Sequence, residues 1–183
     1  MNINNSERLS FRLMDKNDKQ LLWQLDQDSE VMKFITGGKI SSMEKIEHVF
    51  IPRMEAYLNK EKGWGLWQVN LLTDNTYLGW ILIRPMQFFS DHPELDNLEI
   101  GWRFFRDTWG KGYATEAAQQ VMQSLHLQLG YNQFSAIADE DNHASIKVMK
   151  KLGMHYVKTY HHKDQLIDCQ VAYYQVNKNP NIL

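Results

Sequence analysis

The passage from Leu98 to Leu129 constrains this chain more than any other. Leu98 to Phe105 is an apolar run of strand length. Arg106 to Lys111 reads as a turn, and Trp109-Gly110-Lys111-Gly112-Tyr113-Ala114-Thr115-Glu116 leads into the clearest helix of the sequence. That helix runs from Gly112 to Leu129. Ala114, Ala118, Val121, Met122, Leu125 and Leu129 recur on one face of it, and Gly130 closes it. An apolar strand that feeds a long one-faced helix requires a layered fold in which that face is buried on a sheet.

The same passage suggests a ligand. The first turn of a helix leaves backbone N–H groups unpaired and carries a partial positive charge. Glycines let an anion approach that backbone, and Lys111 adds a cation, so the turn has the make-up of a pyrophosphate cradle. It is neither of two better-known cradles. The residue five before Gly110 is Phe105, and Gly112 rather than Ser or Thr follows Lys111, which excludes a Walker loop. A dinucleotide fingerprint needs a third Gly where Thr115 stands. Taken alone, a Gly-x-Gly turn is equally a tight corner without a ligand.

The flanking sequence fits a mixed sheet with helices on both faces. Arg8–Met14 reads as a strand, and Asp15 caps a helix carrying Leu21, Leu22 and Leu25. Val31–Ile35 is a short apolar run stopped by Gly37-Gly38. Ser42–Leu58 reads as a second helix that Pro52 kinks or splits. Gly65–Leu72 and Thr76–Arg84 form a hairpin around Thr73-Asp74-Asn75, and Pro85–Asn97 reads as irregular. Phe134–Ala138 is a strand, Asn142–Leu152 a helix ended by Gly153, and Met154–Tyr160 and Ile167–Val176 the last strands, joined near Lys163-Asp164.

Composition narrows the class without naming the chemistry. At 183 residues, the chain reads as one domain, 1–183, able to bury its core without disulfides or a structural metal. A formal net charge of −2 disfavours broad binding to nucleic acid or anionic membrane. Cys169 is alone, no CxxC pair occurs, and the seven His lack ligand spacing, so no metal is expected. The start, MNINNSERLS, has no basic region followed by an apolar run, and no stretch approaches 18 apolar residues. The expectation is a soluble cytoplasmic protein, monomer or homodimer.

Leu98-Glu99-Ile100-Gly101-Trp102, the turn from Trp109 to Ala117, then Asp139, Asn142, Ser145 and Lys151-Leu152-Gly153-Met154 together resemble the GNAT acetyltransferase superfamily. Within it, the likeness is to the ribosomal-protein N-terminal acetyltransferase-like branch. The specific part covers about residues 98 to 157, and looser similarity reaches Asp28-Ser29-Glu30-Val31-Met32 and the first strand. The resemblance implies an α+β fold with a mixed, mostly antiparallel, seven-stranded sheet splayed between its fourth and fifth strands, with helices on both faces. It also implies acetyl-CoA as cosubstrate. The pantetheine arm would pair with the fourth strand at Phe104 and Phe105. The pyrophosphate would sit on the N–H groups of Gly110, Lys111, Gly112, Tyr113 and Ala114, with Thr115 and Arg106 beside it. Asn142 would contact the cofactor arm and Ser145 would lie near its sulfur; Asn142 is equally a helix cap for the N–H of Ser145. Asp107 departs from the family, which often has Gln or Arg there.

The implied reaction is acetyl transfer from a thioester to an amine, by direct attack in a ternary complex. The amine must first lose a proton, since a lysine-like amine has a pKa of about 10.4 and an α-amine of about 8. Glu99 is the candidate base, on the face opposite Ile100 and Trp102. A Glu in an apolar strand is costly to bury without a role. Otherwise, it is a strand-surface charge on a partly wet face. Many family members place an acid Tyr four residues before the Gly closing the fourth helix; here Met149 stands there. Ser145, the weaker Tyr173, or no acid at all would then serve the leaving thiolate. Cys169 reads as a small buried side chain. Asp91, Glu94 and Asp96 beside Phe88 and Phe89, with Trp64, Trp67, Trp80 and Trp102 nearby, could form an acidic aromatic slot for the amine, or else a core and a solvated loop. The other class of function open to such a chain is a non-catalytic acyl-CoA-binding sensor or interaction module.

Overall fold

A computed structural model describes residues 1–164 and 168–178. Seven strands form one sheet: β1 (Leu9–Leu13), β2 (Gly65–Leu71), β3 (Tyr77–Met86), β4 (Glu94–Phe104), β5 (Gln133–Asp139), β6 (His155–Lys163) and β7 (Asp168–Asn177), in the order β1-β2-β3-β4-β5-β7-β6. All neighbours are antiparallel except β4 and β5. The expected mixed sheet is therefore present. Ile167, where the last strand was expected to start, lies outside the described residues.

β4 and β5 pair only at Asn97↔Gln133, Leu98↔Phe134 and Glu99↔Ser135. Beyond Glu99 they splay. β4 stays on β3 as far as Phe104, while β5 follows β7. The apex of the splay is pinned by a buried polar cluster. Ser135 Oγ donates to Asn97 Oδ1 at 2.7 Å, and the Tyr173 hydroxyl accepts from Asn97 at 3.1 Å and from Gln175 at 2.9 Å.

Helices cover both faces. On one lie α5 (Tyr113–Leu129) and α6 (His143–Lys151). α5 buries Ala117, Ala118, Val121, Met122 and Leu125 against Trp67, Val69, Ile81, Ile83, Leu98 and Ile100. On the other lie α1 (Lys19–Leu25), α2 (Ser29–Thr36), the single turn α3 (Met43–Lys45) and α4 (Ile51–Tyr57). There Leu22, Ile46, Ile51, Met54 and Tyr57 pack on Met14 and Leu66. β2 and β3 feed both cores by alternation: Ile81 and Ile83 face α5, while Trp80 and Leu82 face α4.

One local expectation holds with added detail and two change. Pro52 splits the Ser42–Leu58 helix by a defined route. Residues 46–50 form a π turn in which Ile51 N–H bonds Ile46 C=O, five residues back, so Pro52 enters α4 where it needs no N–H. Val31–Ile35 is the middle of a helix that Asp28 caps by accepting from Glu30 N–H. Pro85–Asn97 is not all irregular. β3 continues to Met86 and β4 begins at Glu94, with a register shift between Pro85 and Met86 that absorbs the proline.

The N-terminal segment is fastened to the start of α5 through Glu116. Its carboxylate accepts from Ser6 Oγ at 2.7 Å, Arg8 N–H at 2.9 Å and Arg8 Nε at 2.7 Å. Burial works to raise the Glu116 pKa, but these bonds together outweigh it and hold it below the ordinary carboxylate value. A depressed folded pKa adds stability that is present above the unfolded value and lost as pH falls through the folded one. Glu116→Gln should therefore cost about 1.5–3 kcal/mol at pH 7. The gap from wild type should close as denaturation is measured below about pH 4; a gap that persists there would deny the charge its part.

Candidate active site

The splay opens into a cleft of about 620 Å³ that passes from the α1–α4 face to the starts of α5 and α6. At the α5 end the backbone determines the chemistry. Gly112 caps the helix with φ +85°, a left-handed conformation that L side chains rarely adopt, and no side chain caps the turn. The first main-chain bond into α5 is Glu116 N–H to Gly112 C=O. The N–H groups ahead of it are the uncommitted donors of a helix start. Arg8 braces the turn from behind: its Nη1 donates to Lys111 C=O at 3.1 Å, and its guanidinium lies 4.5 Å from the Tyr113 ring centroid.

Gly110, Gly112, Tyr113, Ala114 and Thr115 line this end, with Phe104 beside them. Phe105 does not. Its N–H bonds Leu78 C=O at 3.0 Å and its ring packs edge-on to Tyr77. By strand alternation, the backbone groups of Phe104 then face the open edge, where Phe104 C=O accepts from Trp109 Nε1 at 2.9 Å. Arg106 and Lys111 are also outside the lining. Arg106 is 60% exposed and ion-pairs with Asp28 at 2.9 Å, and the Lys111 side chain is in solvent. Asp107 is exposed and away from the cleft. The lysines that do line it are Lys33, Lys147 and Lys151. The latter two are spaced i and i+4 on α6, a spacing that puts both on one helix face.

Asn142 caps α6 by accepting from Ser145 N–H at 3.1 Å, and both residues line the cleft, so the cap and a ligand contact are compatible. Met149, where an acid Tyr was sought, is core. Tyr173 is committed to the apex cluster and does not line the cleft. Cys169 lines it as a free thiol whose pKa burial raises, which disfavours a thiolate.

Glu99 stands at the last β4–β5 pair, 7% exposed. It is no wet surface charge. Its carboxylate takes a bidentate pair from Arg84, Nε at 2.7 Å and Nη2 at 3.0 Å, directly across the β3–β4 register. Burial works to lower the Arg84 pKa, but the Glu99 charge and bonds hold it above its ordinary value. Two further pairs share this end, Arg53 with Asp164 and Arg103 with Asp26, and the Asp26 carboxylate also accepts from Ser41 Oγ at 2.7 Å. Tyr57, Phe50 and Trp80 complete the wall, and Trp102 lines the cleft from the α5 face. The loop acids Asp91, Glu94 and Asp96 do not reach it. Glu94 bonds Gln87 and Asn97, and Trp64 and Trp67 are buried core. Among the described residues no group of His, Cys, Asp and Glu could hold a metal ion, and no helix is long and apolar enough to cross a membrane.

The model of the acetyltransferase (GNAT) domain matches residues 8–155. The chain belongs to the GNAT family. As a GNAT protein it is an acetyltransferase, in line with the N-acetyltransferase name of a relative, YnaD of Bacillus subtilis. That protein is 30% identical over 151 residues, covering 81% of this chain and 80% of its own. The fold agrees with an acetyltransferase of the GNAT family from Bacillus anthracis at TM-score 0.73 and 27% identity, covering 97% of this chain and 98% of that one. Two more distant structures share the fold alone. The ribosomal L7/L12 alpha-N-protein acetyltransferase RimL in complex with coenzyme A has TM-score 0.73 and 17% identity, covering 96% and 97% of the two chains. AAC(6')-Ib in complex with ribostamycin and coenzyme A has TM-score 0.76 and 13% identity, covering 93% and 94%.

The side chains missed in the sequence are Tyr57, Arg53, Arg84 and Arg103. Arg84 had a signal. It is a charge inside the apolar strand before Pro85, as Glu99 is inside the strand after Asn97, and folding the two strands on each other pairs them. The others come from segments far apart in sequence.

Proposed function

We propose that this enzyme transfers the acetyl group of acetyl-CoA to a primary amine by direct attack in a ternary complex. One observation carries the reading: a single cleft joins an uncapped glycine helix start on one face of the sheet to a buried, oriented carboxylate on the other. The residues present fit the cosubstrate. The N–H groups at the start of α5 suit its pyrophosphate, with Lys147 and Lys151 as nearby cations. The open edge of β4 at Phe104 suits the amide groups of its arm, and Asn142 and Ser145 flank the path toward Glu99. Coenzyme A in the RimL and AAC(6')-Ib complexes supports this assignment.

The amine enters protonated from the α1–α4 face. Glu99 accepts its proton, directly or through water. The neutral nitrogen attacks the thioester carbonyl and the C–N bond forms. As the tetrahedral species collapses the C–S bond breaks, the nitrogen gives up its second proton, and that proton is relayed to the thiolate through the Ser145 hydroxyl, while the proton held by Glu99 returns to solvent. Tyr173 is not the donor, since its hydroxyl is held in the apex cluster. A positioned backbone N–H can stabilise the oxyanion. The Asn142-x-x-Ser145 pair supports a kinship with the ribosomal-protein branch.

Thermal denaturation tests the cradle before any acceptor is known. Coenzyme A or acetyl-CoA at about 100 times its Kd should add roughly 2.7 kcal/mol. For a chain of this size, that is about 5–10 °C in Tm. ATP and NAD should add little. No shift with either CoA species would remove the reading.

A further inference from the structure

The acceptor end of the cleft has a donor–acceptor balance that points to one kind of amine. Resting on the acetyl-transfer reading above, we propose that the acceptor is an amphoteric amine of the amino-acid class, its carboxylate held by Arg53 and Tyr57 while its amine faces Glu99. Three arginines line this end, and each has its own carboxylate: Arg53 with Asp164, Arg84 with Glu99, Arg103 with Asp26. Lys33 and Glu30 also line it, so its formal charges balance. A polyamine or an aminoglycoside brings several positive charges and needs a wall with an excess of negative ones. This wall has none.

The uncommitted groups are donors. The Arg53 side chain is 9% exposed, and among the described residues its one hydrogen bond runs from Nη2 to Asp164. A guanidinium carries five N–H donors in a planar fork, so the Nε and Nη1 groups of Arg53 remain. Its centre lies 3.7 Å from the Phe89 ring centroid, and that of Arg84 lies 5.5 Å from the same ring, which brings two guanidinium groups together. Burial lowers the Arg53 pKa, Asp164 opposes that, and the Arg84 charge adds to it, the pattern an incoming anion would relieve. Tyr57 is 7% exposed and lines the cleft, and its hydroxyl makes no hydrogen bond among the described residues. Burial pushes its pKa up to about 12, so it stays a neutral donor. In the same wall Trp80 Nε1 and Arg103 Nε are buried donors without a partner among the described residues.

The buried carboxylates of Glu99 and Asp26, by contrast, are engaged. Both oxygens of Glu99 face Arg84, and those of Asp26 face Arg103 and Ser41. A ligand that brings only ammonium groups leaves buried donors unmatched, which is costly. A carboxylate supplies two acceptor oxygens in the geometry a guanidinium fork prefers. The ammonium of the same molecule restores the charge balance and lies beside Glu99.

Wild-type enzyme suffices for the main test. Acetyl-CoA consumption is measured on α-amino acids with apolar, polar and charged side chains, and on the amide and decarboxylated amine of each. Spermidine, an aminoglycoside and short peptides complete the panel. The best amino acid should exceed its own amide in kcat/KM by about 10²-fold or more, because a site built for a polar group rejects the analogue lacking it. Arg53→Gln should bring that ratio close to one by raising KM for the acid, with KM for acetyl-CoA unchanged. The turnover of the amide reports that the variant is folded. Tyr57→Phe should lower the ratio in the same direction by a smaller factor. Equal or better turnover of amides, peptides or polycations, or an acid-to-amide ratio that survives Arg53→Gln, would overturn the proposal. So would coenzyme A stabilisation without binding or turnover of any amino acid; absence of that stabilisation would instead strike the acetyl-CoA reading itself.

Discussion

Replacing Glu99 by Gln should lower kcat by about 10²–10⁴-fold while KM for acetyl-CoA and the thermal shift with coenzyme A are retained. The expectation follows from where the carboxylate stands. It is the last residue of β4 paired to β5, so it lies at the apex where the two halves of the cleft meet. Arg84 fixes its orientation through two bonds across the strand register. An alkylammonium acceptor holds its proton at neutral pH and cannot attack until a base removes it. Glutamine keeps the shape and one acceptor oxygen but cannot take the proton.

The same change has a structural cost that must be separated from the chemical one. It leaves Arg84, 11% exposed, without its counter-charge. Breaking one partner of a buried pair is strongly destabilising, whereas replacing both by apolar groups often is not. Glu99→Gln should therefore lose about 1–3 kcal/mol of stability, and Arg84→Met/Glu99→Gln should regain part of it without regaining turnover. If the single variant turns over a true acceptor as fast as wild type, Glu99 is an anchor for Arg84 and the proton leaves by another path.

How far the sequence exposes this site depends on the range of the interactions. α5 was legible because period, entry glycine and exit glycine all agree within one segment, and the structure places the helix at Tyr113–Leu129 between Gly112 and Gly130. Asn142 was legible as a cap because the bond spans three residues. The face of Glu99 followed from alternation alone. Its partner was visible only as a second charge inside an apolar strand, because the register that sets Arg84 opposite Glu99 is fixed by the pairing of β3 with β4 and not by either segment alone. The cofactor roles expected of Phe105, Arg106 and Lys111 came from the family resemblance, which carries positions and not side-chain directions. Phe105 instead turns its N–H to β3, and Arg106 finds Asp28. Arg53 meeting Asp164 joins two faces of the cleft across 111 residues, and no local pattern announces such a contact.

Gly79→Ala should be the most damaging single-atom-group addition in the sheet, although the residue does not line the cleft. Gly79 lies in β3 opposite Phe104 with φ +147°, where a side chain is strained. A Cβ there would stand 2.1 Å from the Arg103 carbonyl oxygen and 2.7 Å from the Phe104 Cα. Both are backbone atoms of β4, so relief requires moving the strand rather than turning a side chain. Backbone strain and overpacking each cost roughly 1–3 kcal/mol. A loss of about 4 kcal/mol should lower Tm by about 10 °C in a chain of this size. The displaced atoms also carry function, because Phe104 C=O holds Trp109 at the entrance to the glycine turn. A folded fraction should therefore bind coenzyme A more weakly than wild type. Gly110→Ala is the control, with φ +73° but nothing within 4 Å of its Cβ. It should show only the conformational cost, about 1–2 kcal/mol. Equal Tm losses in the two variants would mean that the β3–β4 pairing yields easily, and the fixed edge on which the cofactor reading relies would then be soft.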